Sequence, residues 1–147
     1  MSDKVILLVD DDEADLFFLS KALRRFSPDV LIACVSDGQQ AIDYLVGQGK
    51  YTDRKAWPFP MHMFLDLKMP LVSGLEVLRW LRHQPPEIGQ LPVTVFSGSE
   101  LTADVEQVRA LGAEYIVKPV GNAALLAIAR DFAEKYLRQG VWETHIV

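Results

Sequence analysis

Short apolar runs of strand length recur along the chain, each followed by a stretch whose apolar residues return at helical spacing. Val5-Ile6-Leu7-Leu8-Val9 is continuous rather than alternating, the pattern of a strand covered on both faces. It stops at Asp10-Asp11-Asp12-Glu13, and Leu16, Leu19, Leu23 and Phe26 then mark one helix face, with the acids suited to its N-terminus. After Pro28-Asp29, residues Val30 to Val35 read as a second strand, and Ser36-Asp37-Gly38 opens a helix facing inward through Ala41, Ile42 and Leu45. A third strand runs from Met61 to Leu65, and a third helix starts near Ser73 with Leu75, Leu78 and Leu81. Pro92 to Phe96 form a fourth strand, and Leu101, Val105, Val108 and Leu111 a fourth helix. Glu114 to Val117 form a fifth strand; Leu125, Ile128, Phe132 and Tyr136 line a last helix that Gly140 ends. Gly47 to Met61 is the one long irregular connection.

This alternation predicts an α/β fold: a doubly wound parallel sheet of five strands, with right-handed crossovers and helices on both faces. The 147 residues suit a single domain, with a core of about residues 4–138 and a tail over 139–147. Half the residues are apolar and 24% charged, which excludes a disordered chain. One cysteine excludes an internal disulfide framework, and Cys34, among apolar neighbours, is expected to be buried and inert. No apolar run approaches ~18 residues and no signal peptide is seen, so a cytoplasmic protein without a membrane span is expected. A net charge of −5 argues against direct nucleic-acid binding, which runs on clustered Lys and Arg.

In an open parallel sheet, ligands bind beyond the carboxyl ends of the strands. The residues there are Asp10 and Asp11, then Asp66, then Ser97, then Lys118. If strands one and three are neighbours, three carboxylates, a hydroxyl and an ammonium share one crevice. Clustered carboxylates repel unless a cation neutralises them, and Mg2+, a hard ion taking oxygen ligands, is the natural one. A carboxylate beside it can act as nucleophile toward phosphorus. Asp66, alone at the end of a central strand, is the better nucleophile candidate, with Asp10 and Asp11 as metal holders and Lys118 and Ser97 facing phosphoryl oxygens.

Asp10-Asp11, Asp66-Leu67-Lys68-Met69-Pro70 with Gly74, Ser97-Gly98 and Lys118-Pro119 together resemble the signature of response-regulator receiver domains of two-component signalling. The resemblance runs from about Val5 to Tyr136 and implies flavodoxin-like strand order 2-1-3-4-5. It implies that Asp66 accepts a phosphoryl group from a sensor histidine kinase, with Asp11 binding Mg2+ directly and Asp10 through water. The Lys68 backbone carbonyl would be a further metal ligand, and the Lys68 side chain with Ser99 would tune phosphoryl loss. Ser97 and Lys118 would engage the phosphate, the Lys118–Pro119 bond would be cis, and Tyr115 would be the aromatic switch. The longer connection before the third strand resembles the small, stand-alone regulators paired with bacterial phytochrome kinases. A homodimer through the last strand, last helix and tail, using Val141-Trp142 and Ile146-Val147, is then expected, with output to a downstream protein or phosphotransfer partner.

Two other readings compete with this one. An aspartyl-phosphate phosphotransferase usually carries a second Asp two residues after the nucleophile, where this chain has Lys68, so an enzyme acting on other substrates is not expected. A degenerate receiver serving only as a protein-binding module is disfavoured by the intact set of acids, hydroxyl and lysine. No phosphate-cradling glycine motif or nucleophile elbow occurs. His62, His83 and His145 lack ligand spacing and receive no metal or phosphohistidine role. Trp57, Phe59, Lys50, Arg54 and Lys55 in the long connection read as a loop packed over the third strand, ahead of a partner-contact arm.

Overall fold

The computed structural model describes residues 4–137. Its sheet contains β1 (Val5–Val9), β2 (Leu31–Val35), β3 (His62–Leu65), β4 (Val93–Ser97) and β5 (Glu114–Val117), all parallel in the order β2-β1-β3-β4-β5. The helices are α1 (Glu13–Phe26), α2 (Gly38–Val46), α3 (Gly74–Arg82), α4 (Pro86–Gly89), α5 (Thr102–Ala110) and α6 (Asn122–Phe132). The predicted fold and strand order are therefore observed, with strands one and three adjacent.

The continuous apolar run of β1 is explained by two cores. Leu7 and Val9 pack with Ala41, Leu45, Val77, Leu78 and Val108 from α2, α3 and α5. Ile6 and Leu8 face the other way, toward Leu19 and Leu23 of α1 and Ala129 and Phe132 of α6. Every β1 side chain is thus removed from water, each fully buried one contributing roughly 1.5–3 kcal/mol.

Local chemistry starts the helices where the crevice needs them. The Asp12 carboxylate accepts from the backbone N–H groups of Ala14 and Asp15, capping α1. Asp37 caps α2 through the Gln40 N–H. Ser73 and Glu76 form a reciprocal capping box on α3.

Several expectations need correction. Cys34 is exposed, because β2 is an edge strand that α1 only partly covers. The peptide bond before Pro119 is trans, as no cis bond occurs among the described residues. The short α4 adds to the five helices that the sequence pattern predicts; Pro85-Pro86 starts it, and its four residues are too few to show a period. The last helix becomes a π-helical turn over Ala133–Leu137. Gly140 and the tail residues Val141, Trp142, Ile146 and Val147 lie outside the described residues.

The long connection contains a short 3₁₀ turn, Gly49–Tyr51, and closes over α2 rather than reaching outward. Tyr44, Tyr51 and Trp57 pack ring to ring at 5.0–6.1 Å. Arg54 donates to the carbonyls of Leu45 and Trp57, and the Tyr44 hydroxyl donates to Pro58 O. Loop packing, rather than a free arm, describes this segment.

Candidate functional site

Backbone hydrogen bonds bring the strand ends together. Asp10 N donates to Val35 O, Asp66 N to Val9 O, and Lys118 N to Ser97 O at 2.8 Å. Carboxylate oxygens of Asp10, Asp11 and Asp66 lie within 4.8 Å of one another. Asp10 and Asp66 are buried and Asp11 is exposed, so the cluster has a dry floor and an open mouth. Oxygen donors alone, at this spacing, form the set a hard divalent cation takes, and the residues present fit Mg2+.

Lys118 reaches into the same crevice. Its Nζ lies 2.7 Å from Asp10 Oδ2, 2.7 Å from Asp15 Oδ2 and 3.5 Å from Asp66 Oδ2. Burial opposes the charge on Lys118, but its hydrogen bonds to Asp10 and Asp15 and the charge of Asp66 outweigh that and hold its pKa above the usual lysine value. Burial raises the Asp10 pKa; bonds from Lys118 and the Asp12 N–H offset only part of that rise.

Ser97 is fully buried at the end of β4, its Oγ accepting weakly from Ser99 N at 3.5 Å. Lys68 has an exposed side chain, and its N–H approaches Asp66 Oδ1 at 3.4 Å. Tyr115 donates to Ser99 O at 2.6 Å, and the Ser99 hydroxyl donates to Asp104 in α5. Ser99 therefore links β5 to the start of α5.

Gly74 packs against the site's backbone. A Cβ there would lie 2.0 Å from Asp66 O and 2.7 Å from Leu67 Cα, so only glycine lets α3 begin this close to Asp66. Leu71, in the preceding loop, is 96% exposed and adopts φ 66°, a left-handed conformation that costs a leucine roughly 1–2 kcal/mol.

One residue of the crevice was missed from the sequence. Asp15 lies in the first turn of α1 and looks like an ordinary helix-dipole acid. Its signal is its place one turn after Asp11, on the helix that opens from the crevice. Beside it, a cleft of about 260 Å³ is lined by Phe18, Phe96, Lys118, Pro119 and Leu125 among others.

An acidic cluster at the carboxyl ends of a 2-1-3-4-5 sheet, with a lysine across it, defines the receiver class of signalling domain. The response regulator receiver domain family matches residues 6–130, and the chain belongs to that family. Within it, the chain is related to phytochrome-associated regulators. It is 35% identical over 102 residues to "Response regulator Rcp1" of Synechocystis sp., covering 69% of this chain and 67% of that protein. The phosphorylated cyanobacterial phytochrome response regulator RcpA superposes with a TM-score of 0.84 at 30% identity, covering 92% of this chain and 95% of that one. The bacteriophytochrome response regulator RtBRR superposes with a TM-score of 0.72 at 39% identity, covering 86% and 76%. The trio of Asp10, Asp11 and Asp66 is typical of the phosphorylation and Mg2+-binding site of such domains. No helix among the described residues is long and apolar enough to cross a membrane.

Proposed function

We propose that this protein is a cytoplasmic response regulator that takes a phosphoryl group on Asp66 from a phytochrome-type sensor histidine kinase. The observation that carries this reading is the meeting of Asp66, buried and within 3.5 Å of the Lys118 ammonium, with Asp10 and Asp11 at one crevice mouth. An Asp66 carboxylate oxygen attacks phosphorus in line; the phosphorus–nitrogen bond of the donor's phosphohistidine breaks and the imidazole leaves with its electron pair. Asp10, Asp11, Asp66 and the Lys68 carbonyl would hold Mg2+, which supplies charge neutralisation for the incoming phosphoryl oxygens. Lys118 pairs with one phosphoryl oxygen and the Ser97 hydroxyl donates to another.

The added charge of about −2 biases two arrangements of α5, β5 and α6. Ser97 turns toward the phosphate, and Tyr115, whose hydroxyl already engages the Ser99 carbonyl, follows. A protein donor is favoured over a small molecule by the apolar rim of the crevice. Phe18, Leu71, Leu101 and Val120, all on α1 or on loops at the strand ends, are 51–99% exposed. Names of relatives point to a phytochrome kinase as that donor. Output passes to a downstream protein or phosphotransfer partner, with a homodimer through β5, α6 and the tail.

Incubation with acetyl phosphate and magnesium followed by intact mass tests the acceptor. Wild type gains one phosphoryl group and Asp66→Asn gains none; labelling that survives in Asp66→Asn overturns the assignment. Sizing with and without beryllofluoride tests the dimer, and a monomer in both states overturns it.

A further inference from the structure

We infer that Asp15 is a positioning residue that restrains Lys118 before phosphorylation and competes with the phosphoryl group for it. Lys118 has three N–H donors, and in this structure its nearest acceptors are Asp10 and Asp15, both at 2.7 Å, with Asp66 farther away at 3.5 Å. The third donor is left for Asp66, and a phosphoryl group there, with its charge of about −2, draws the ammonium toward itself and away from the two carboxylates that hold it. Asp10, only 7% exposed, is a weak competitor in that state, because the Mg2+ it would hold neutralises its buried carboxylate. Asp15 is 38% exposed, so water replaces the ammonium when the pair opens. The phosphoryl group therefore competes for the ammonium chiefly with Asp15. Release of Asp15 also leaves an unpaired carboxylate on the wall of the cleft that Asp15 shares with Phe18.

The inference rests on Asp66 as acceptor, and the experiment separates the two. Beryllofluoride is titrated with magnesium into the full chain and followed by amide NMR, for wild type, Asp66→Asn, Asp15→Asn, Asp15→Ala and Asp15→Glu. Removing the competing charge tightens beryllofluoride binding about two- to five-fold in Asp15→Asn and Asp15→Ala, the range an exposed ion pair carries. Asp15→Glu restores wild-type affinity, which a merely structural role would not require. Without any ligand, the Lys118 ammonium resonance shifts in Asp15→Asn and stays near its wild-type position in Asp15→Glu. A normal wild-type response with unchanged or weaker binding by both neutral variants overturns the role of Asp15 alone. Absence of a wild-type response, or its survival in Asp66→Asn, overturns the acceptor assignment and this inference with it.

Discussion

Acidification should destabilise this protein through a residue far from its crevice. His62 is almost fully buried at the start of β3, its ring packed against Phe64, Phe132 and Tyr136. Nε2 lies 2.7 Å from the Thr94 hydroxyl, while Nδ1 meets no hydrogen-bond partner among the described residues. Burial lowers its pKa from 6.5 to about 4; the Glu114 charge opposes that fall and the Lys135 charge adds to it. The folded pKa lies below the unfolded one, so the unfolded chain takes up the proton first as pH falls. The stabilisation is complete above about pH 6.5 and is lost as pH falls toward about 4. The whole shift corresponds to about 3 kcal/mol, of which about 2 kcal/mol is gone by about pH 5. That is a large share of an ordinary domain's stability. Urea unfolding at about pH 7.5, 6 and 5 measures it, comparing wild type with His62→Leu, which cannot titrate. The variant should lose about 2 kcal/mol less than wild type over that range. Parallel losses in both proteins, or a ring titrating near 6.5 by NMR, would refute the reasoning.

Two further substitutions test the framework around the crevice. Gly74→Ala drives a Cβ into the Asp66 carbonyl and should cost roughly 1–3 kcal/mol while weakening beryllofluoride binding. Gly98→Ala, where an added Cβ meets nothing within 4 Å, should stay within about 0.5 kcal/mol; equal urea midpoints for the two variants would contradict this. Arg82 donates to the carbonyls of Leu111, Gly89, Leu91 and Gly112 at 2.7–3.4 Å, tying α3 and α4 to β4 and to the turn before β5. Arg82→Met should lose about 2–4 kcal/mol and Arg82→Lys should recover little of it, since an ammonium lacks the guanidinium fork; a full thermal-melt rescue by Lys would refute that geometry.

How much of this was legible in the chain depends on the range of the forces involved. Continuous apolar runs declare strands covered on both faces, because an isolated buried strand has no polar side to show. The acids, hydroxyl and lysine at the ends of those runs were readable as a site because a parallel sheet collects its strand ends on one side. Cys34 misled because apolar neighbours in sequence do not report whether a strand lies at the edge of the sheet. His62 sits in a run that reads the same whether its ring is buried or not; its burial follows from α6 closing over the start of β3.

By itself, then, the sequence determined the alternation of elements, the two-sided sheet and the candidate residues at its carboxyl end, since these depend on local pattern and chain connectivity. Tertiary structure alone decided that Asp15, an ordinary first-turn acid by its neighbours, shares the Lys118 ammonium with Asp10. The residues of that pair are separated by 103 positions, and only the packing of α1 beside the end of β5 brings them to 2.7 Å. Local pattern cannot encode that contact, because a charge pair is set by distance in space and by the water excluded around it.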